Sequence, residues 1–210
     1  MVIAIDGPAG SGKSTIARLL ASELGFYFLN TGSFYRAYTL AQLQRGLDPL
    51  DADSVLETAK SIKLSVSNGD IHINGVDVEK KLHTPEVDKF CSPVSVDPRL
   101  REYVNEQVRA LAKGMDIVTE GRDTTTVIFP DADYKFYFDA SAEVRAERRT
   151  AEHPDGPDYD TVLEEIMKRD ERDKNKAVGA LKIADEAIYI DTTYLTIKQV
   201  CEKVLEAMNS

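Results

Sequence analysis

The sequence has no tryptophan, only two cysteines and only three histidines. Cys91 and Cys201 show neither C-x-x-C nor Cys/His ligand spacing, so neither a zinc site nor a disulfide framework is expected, and both read as buried free thiols. His72, His83 and His153 are too scattered for a metal cluster or a catalytic triad. No apolar run approaches the length of a membrane span. The first residues already read as a buried strand, which leaves no room for a signal peptide and makes a cytoplasmic location the expectation. Positive charge is also scarce: 26 Lys and Arg against 36 Asp and Glu give a formal net charge of −10. Binding along a nucleic-acid polymer needs clustered cations, so no such face is expected. An anionic ligand must instead meet locally gathered cations in a cleft.

With 42% apolar and 30% charged residues, the 210-residue chain reads as one globular domain with a sizeable core. Its organising stretch is Gly7-Pro8-Ala9-Gly10-Ser11-Gly12-Lys13-Ser14, which fits G-x-x-x-x-G-K-[ST]. Such a loop wraps a polyphosphate with backbone N–H groups, and Gly7, Gly10 and Gly12 supply the freedom this needs. Lys13 would reach the β/γ-phosphates, Ser14 would ligate Mg²⁺, and Ser11 and Thr15 complete the loop and helix start around the anion. The context fits. Met1–Asp6 is a short β-branched run, and Ser14–Leu24 places Ile16, Leu19, Leu20 and Leu24 on one helical stripe that Gly25 ends.

Further along, Phe26–Asn30 reads as a strand. Asn30, Thr31, Gly32 and Ser33 offer N-caps for a helix from about Phe34 to Arg45. A helix from Asp51 to Ile62 leads into two alternating segments, Lys63–Ser67 and Asp70–Asn74, joined by Asn68-Gly69, a strong hairpin signal. Asn74-Gly75 turns into a third short strand at Val76–Val78. Helices are expected over Glu86–Ser92, Pro98–Lys113, Ala142–Ala151, Tyr159–Asn175 and Thr196–Met208. Strands are expected at Asp116–Glu120, Tyr134–Asp139 and Ala187–Asp191. The polar break at Glu152–Asp158 reads as a mobile lid. Five buried strands interleaved with helices predict an α/β fold with a parallel sheet.

Phosphoryl transfer needs positioning and cations near the transferred group, and ligands of open α/β sheets bind at the strands' carboxyl edge. Candidate cations at loop ends follow: Arg36 after Thr31, Arg99 and Arg101 after Pro98, and Arg122-Asp123 directly after a buried strand. Arg145, Arg148 and Arg149 would share one basic helix face, as would Arg169, Asp173 and Lys176. Solvated ion pairs are the competing reading for each group except Arg122-Asp123. Tyr27, Phe28, Phe34 and Tyr35 read as core, with Tyr35 open to a ligand role.

These segments together resemble the bacterial cytidylate kinases, a branch of the nucleoside monophosphate kinases. The resemblance runs through Ile3–Pro8 into the loop, Asn30–Arg36, Pro98–Arg101, Glu120–Asp123 with Thr126–Ala132, Arg169–Asp173 and Ile190–Thr193. It implies a P-loop NTPase core (1–30, 114–150, 176–210), a monophosphate-binding region (31–113) holding a small antiparallel sheet, and a lid (151–175). By resemblance, ATP with Mg²⁺ donates a phosphoryl group to CMP or dCMP, small-molecule partners for a monomeric enzyme. Thr31, Arg36, Ser92, Arg101, Arg122, Asp123, Arg169, Asp173 and Lys176 would line the CMP site. Arg36, Arg122 and Arg169 would hold its phosphate. Asp173, backed by Asp123, would take the sugar hydroxyls, and Ser92, Arg101 and Lys176 would read the cytosine. Lys13, Arg122, Asp123 and Arg169 would be catalytic, while Arg145, Arg148 and Arg149 would close over the ATP phosphates. The sequence departs from the family pattern with Lys176 for Arg, Thr125 for Gly and Asn30 for Asp. A kinase for another small acceptor such as UMP, or a nucleotide-binding module without turnover, stays open at this point.

Overall fold

A computed structural model of the chain describes residues 1–67 and 69–209. Asn68, half of the expected hairpin turn, lies outside the described residues. The chain begins with β1 (Val2–Asp6), α1 (Lys13–Leu24), β2 (Tyr27–Asn30), α2 (Thr31–Gln44) and α3 (Ala52–Ser61). A small antiparallel sheet follows, built from β3 (Leu64–Ser67), β4 (Asp70–Ile73) and β5 (Val76–Asp77). Then come α4 (Pro85–Val94), α5 (Pro98–Ala112), β6 (Ile117–Gly121), β7 (Tyr134–Asp139) and α6 (Ala142–Glu152). The chain closes with α7 (Tyr159–Lys174), β8 (Ile188–Asp191) and α8 (Ile197–Met208).

The large sheet is parallel throughout, in the order β2-β6-β1-β7-β8. β1 is central because Ile3, Ala4 and Ile5 are apolar on both faces and fully buried, as a doubly covered parallel strand requires. Register then places the site. Asp6 pairs opposite Gly121, and Asn30 opposite Glu120, so three strands end within about one residue of each other at the same edge. The loops that leave them, at Gly7, Thr31 and Arg122, emerge side by side.

Three apolar clusters support this frame. One lies between the sheet, α1 and α8 and includes Ile3, Leu20, Phe136 and Val204. A second fills the region of α2 to α5 and the small sheet, around Phe34, Tyr38, Leu82, Leu100 and Val104. The third is a small patch between α6 and α7 at Ala146, Val162 and Ile166.

Several expectations shift. Leu19 faces solvent, and Ala17 and Ala21 complete the buried stripe of α1 instead. α2 starts at Thr31 rather than Phe34, because the Asn30 side chain caps it by accepting a hydrogen bond from the Ser33 N–H at 3.2 Å. α4 runs on through Pro93 to Val94. α7 stops at Lys174, so Lys176 lies beyond the helix rather than on its face. A π-helical turn at Thr124–Ile128, closed by Phe129 N–H donating to Thr124 O at 2.8 Å, was not expected from the sequence. Cys201 is only half-buried, and both cysteines are free.

Candidate active site

The loop between β1 and α1 and the aligned strand ends open onto one cavity of about 660 Å³. At its donor end the backbone does the shaping. Gly7 has φ +150°, and a Cβ there would lie 1.9 Å from the Phe138 carbonyl oxygen, so only glycine lets the loop pass β7. Thr192 Oγ1 donates to Ser11 O at 3.0 Å, and Ser11 Oγ donates to Pro8 O at 3.0 Å, fixing the loop from both sides.

Lys13 is buried under this loop, its Nζ donating to Pro8 O at 2.6 Å. Burial and the nearby Arg122 lower its pKa to about 7. The Glu120 and Asp6 carboxylates act in the opposite direction without overcoming the burial. Ser14 Oγ donates to Glu120 Oε1 at 2.7 Å, which brings two hard oxygen atoms together at the loop's mouth.

The acceptor end is made of side chains instead. Arg122 Nε donates to Asp173 Oδ2 at 2.8 Å, and Lys176 Nζ lies 2.9 Å from Asp173 Oδ1. Burial acts upward on the Asp173 carboxyl, but Arg122 and Lys176 outweigh it and hold its pKa well below the usual carboxylate range. Arg101, buried, donates to Asp123 Oδ2 at 2.5 Å and to Ser95 O at 3.0 Å, with its guanidinium over the Tyr35 ring. Arg36 Nη2 donates to Asp88 Oδ1 at 2.6 Å. Arg169 Nε is buried without a hydrogen-bond partner, and burial together with the facing Arg122 pushes its pKa down. Its contact with a carboxylate is long, Nε lying 4.0 Å from Asp173 Oδ2.

Most of the expected site residues meet here. Gly10, Ser11, Gly12, Lys13, Ser14 and Thr15 line one end; Thr31, Arg36, Ser92, Arg101, Arg122, Asp123, Arg169, Asp173 and Lys176 line the other. Gly7 shapes the loop from behind. Arg148 and Arg149 also line the cavity, but the Arg145 side chain, on the same helix, does not reach it. Its guanidinium is buried, paired with both Asp170 oxygens at 3.0 and 2.6 Å, and donates to Ala9 O at 3.1 Å. The i, i+3, i+4 spacing hid this because Asp170 arrives from a different helix. Arg99 is exposed and pairs with Asp53 and Asp97, a surface group.

Sequence reasoning missed other participants. Ser95 accepts a hydrogen bond from Lys176 Nζ at 3.2 Å, and Arg172 Nη1 donates to Ser92 Oγ at 2.9 Å. Gly179 packs so closely that a Cβ there would sit 2.2 Å from Arg101 Nη2 and 2.4 Å from Asp123 Oδ2. His83 and His153 reach the cavity rim. Only Arg172 carried a sequence signal, the turn spacing from Arg169; the others depend on chain crossing.

A triphosphate loop facing a second, arginine-rich anion site describes a phosphotransferase without naming its acceptor. A family model described as cytidylate kinase matches residues 3–210. The chain belongs to the cytidylate kinase family. A cytidylate kinase of Caldanaerobacter subterraneus is 42% identical over 98% of this chain and 93% of its own length. One from Vibrio cholerae is 40% identical over 100% of this chain and 96% of its own. Solved structures agree on the fold alone. A sugar kinase from Janibacter has a TM-score of 0.51 at 19% identity, covering 99% of this chain and 94% of that one. A shikimate kinase from Bacteroides thetaiotaomicron has a TM-score of 0.50 at 12% identity, covering 100% and 99%. Membership in the cytidylate kinase family makes the chain an enzyme, and a kinase that draws on ATP.

Proposed function

We propose that the cavity holds ATP at the glycine-rich loop and CMP or dCMP among the arginines, and that Mg²⁺ is the metal cofactor. The reaction transfers the γ-phosphoryl group of ATP to the monophosphate, giving CDP or dCDP. The observation that carries the assignment of ends is the strand register, which sets the Lys13 loop and Arg122 at adjoining strand ends of one cavity.

Each residue then has a task. Lys13 leaves Pro8 O to stabilise charge on the moving phosphoryl group, helped by Arg122 and Arg169, while Asp123 holds Arg101 in place. Arg36 meets the acceptor phosphate next to Thr31. Asp173 accepts the sugar hydroxyls, and Ser92, Arg101 and Lys176 face the cytosine edge. Arg148 and Arg149 draw in over the ATP phosphates, and Arg145 positions the loop through Ala9 O and Asp170. Ser14 Oγ and Glu120 suit Mg²⁺, which prefers hard oxygens, keeps several waters and needs few protein ligands. When bound, the ion neutralises charge on the β- and γ-phosphate oxygens.

Residues 31–113 form the acceptor region in this reading, 151–175 the lid, and the remainder the core; most apolar side chains of the acceptor region pack in a cluster apart from that of the sheet, α1 and α8, which supports the first of these boundaries. In this reading the enzyme is a monomer acting in the cytoplasm. A coupled assay with ATP and a panel of CMP, dCMP, UMP and AMP tests the function. Turnover of CMP and dCMP above the others is expected. Turnover of another acceptor with neither cytidine nucleotide consumed would overturn it.

A further inference from the structure

Asp6 is fully buried, yet none of the tasks above uses it. It is the last residue of β1, immediately before Gly7, and its carboxylate is spent entirely on one neighbouring turn. Oδ1 accepts the Thr124 N–H at 2.9 Å; Oδ2 accepts the Thr125 N–H at 2.7 Å and the Thr125 hydroxyl at 2.6 Å. Thr124 directly follows Asp123. The side chain therefore joins the chain entering the donor loop to the chain leaving Arg122-Asp123.

This bond set begins where the backbone ladder stops. β1 and β6 pair as far as Asp6 and Gly121, and beyond that point no strand pairing holds the two loops in register. The π-helical turn at Thr124–Ile128 opens on Asp123 without a side-chain cap, so its first N–H groups need an outside acceptor. Asp6 is that acceptor. Burial raises its carboxyl pKa, against the three hydrogen bonds that favour the anion. Its charge in turn acts on Lys13 and Arg122, one from each end of the cavity. Thr125 adds what a glycine at this position lacks, a second donor on Oδ2 and so a third on the carboxylate.

We propose that Asp6 and Thr125 form a positioning clasp that sets the spacing between the donor loop and Arg122-Asp123, and thereby aligns the two bound nucleotides for transfer. The clasp rests on the two-ended reading of the cavity. Misalignment by about 1 Å costs on the order of 100-fold in rate, so loosening the clasp acts on kcat while each nucleotide still finds its own intact half-site.

The test compares Asp6→Asn, Thr125→Val and Thr125→Ser with the unmodified enzyme, measuring kcat, KM for each substrate, the separate Kd of ATP and CMP, and thermal unfolding. Thr125→Val keeps the shape and drops only the hydroxyl; kcat is expected to fall about tenfold with both Kd values within about twofold. Thr125→Ser restores the rate, and Asp6→Asn, where it folds, loses about 100-fold. The clasp is overturned if Thr125→Val lowers only the unfolding temperature with kcat per folded molecule unchanged. It is equally overturned if the loss is a weakened Kd for one nucleotide. If the unmodified enzyme consumes another monophosphate instead, the same ratios are read on that acceptor, so failure of the clasp and failure of the substrate assignment are told apart.

Discussion

The two ends of the cavity bind anions by opposite means. At the donor end a continuous eight-residue loop offers backbone groups, and its one buried cation, Lys13, is tethered to a neutral carbonyl. At the acceptor end the cations come from scattered elements, and nearly all are already paired with carboxylates: Arg36 with Asp88, Arg101 with Asp123, and Arg122 and Lys176 with Asp173. The donor end is thus set by local conformation. The acceptor end is set by a balance of charges, so removing one member releases several others. Substitutions at the two ends should accordingly fail in different kinetic parameters.

The largest effect is expected at Lys13. Lys13→Ala removes a charge aimed at the moving phosphoryl group, and kcat should drop about 100- to 1,000-fold. An unchanged kcat would take the loop out of the chemistry. Asp173→Ala strands Arg122, Lys176 and Arg169 together, and KM for CMP should rise roughly 30- to 100-fold while KM for ATP stays within about threefold. Loss of ATP binding with normal CMP binding would erase the division between the ends.

Gly179→Ala is a gentler probe of the same end. Its methyl group must push apart Arg101 and Asp123, and KM for CMP should rise about tenfold. Equal losses for both nucleotides would point to general misfolding. Lys176→Arg exchanges a point charge for a fork and should shift the preference for CMP over UMP by about threefold, read as the ratio of kcat/KM values.

The smallest signal is a proton. Lys13 has its pKa lowered from 10.5 to about 7 by burial and Arg122, so it is mostly neutral in the free enzyme above that pH. In that window the unfolded chain binds more protons, and Lys13 makes stability rise with pH. The ATP phosphates reverse this by favouring the charged amine. Titration calorimetry at about pH 8 in two buffers of different ionisation enthalpy should show proton uptake on ATP binding, absent in Lys13→Met, and ATP affinity falling as pH climbs. Equal heats in both buffers would mean that Lys13 is charged throughout.

The same contrast explains what was legible beforehand. The donor loop, its flanking strand and helix, and the alternation that builds the parallel sheet are local patterns, and they appear where expected. The acceptor residues were recognisable as a set through family resemblance, but their partners were not. Asp88, Ser95, Asp170 and Gly179 acquire meaning only when separate elements cross. Arg145 shows the limit best. Helical spacing assigned it to the face of Arg148 and Arg149, whereas a carboxylate from α7 turned it inward. The π-helical turn likewise depends on Asp6, more than a hundred residues away in the chain.

The Arg36–Asp88 contact alters how an incoming phosphate is counted. The site resembles an ion-exchange resin supplied with its own fixed counter-ion: the phosphate does not meet a bare cation but displaces a carboxylate that stays tethered nearby. Affinity is then the difference between two similar pairings, and few dissolved ions are released when one replaces the other. Binding of the monophosphate should therefore respond weakly to ionic strength, and inorganic phosphate, lacking a sugar and base to tip the exchange, should compete poorly for the same arginine.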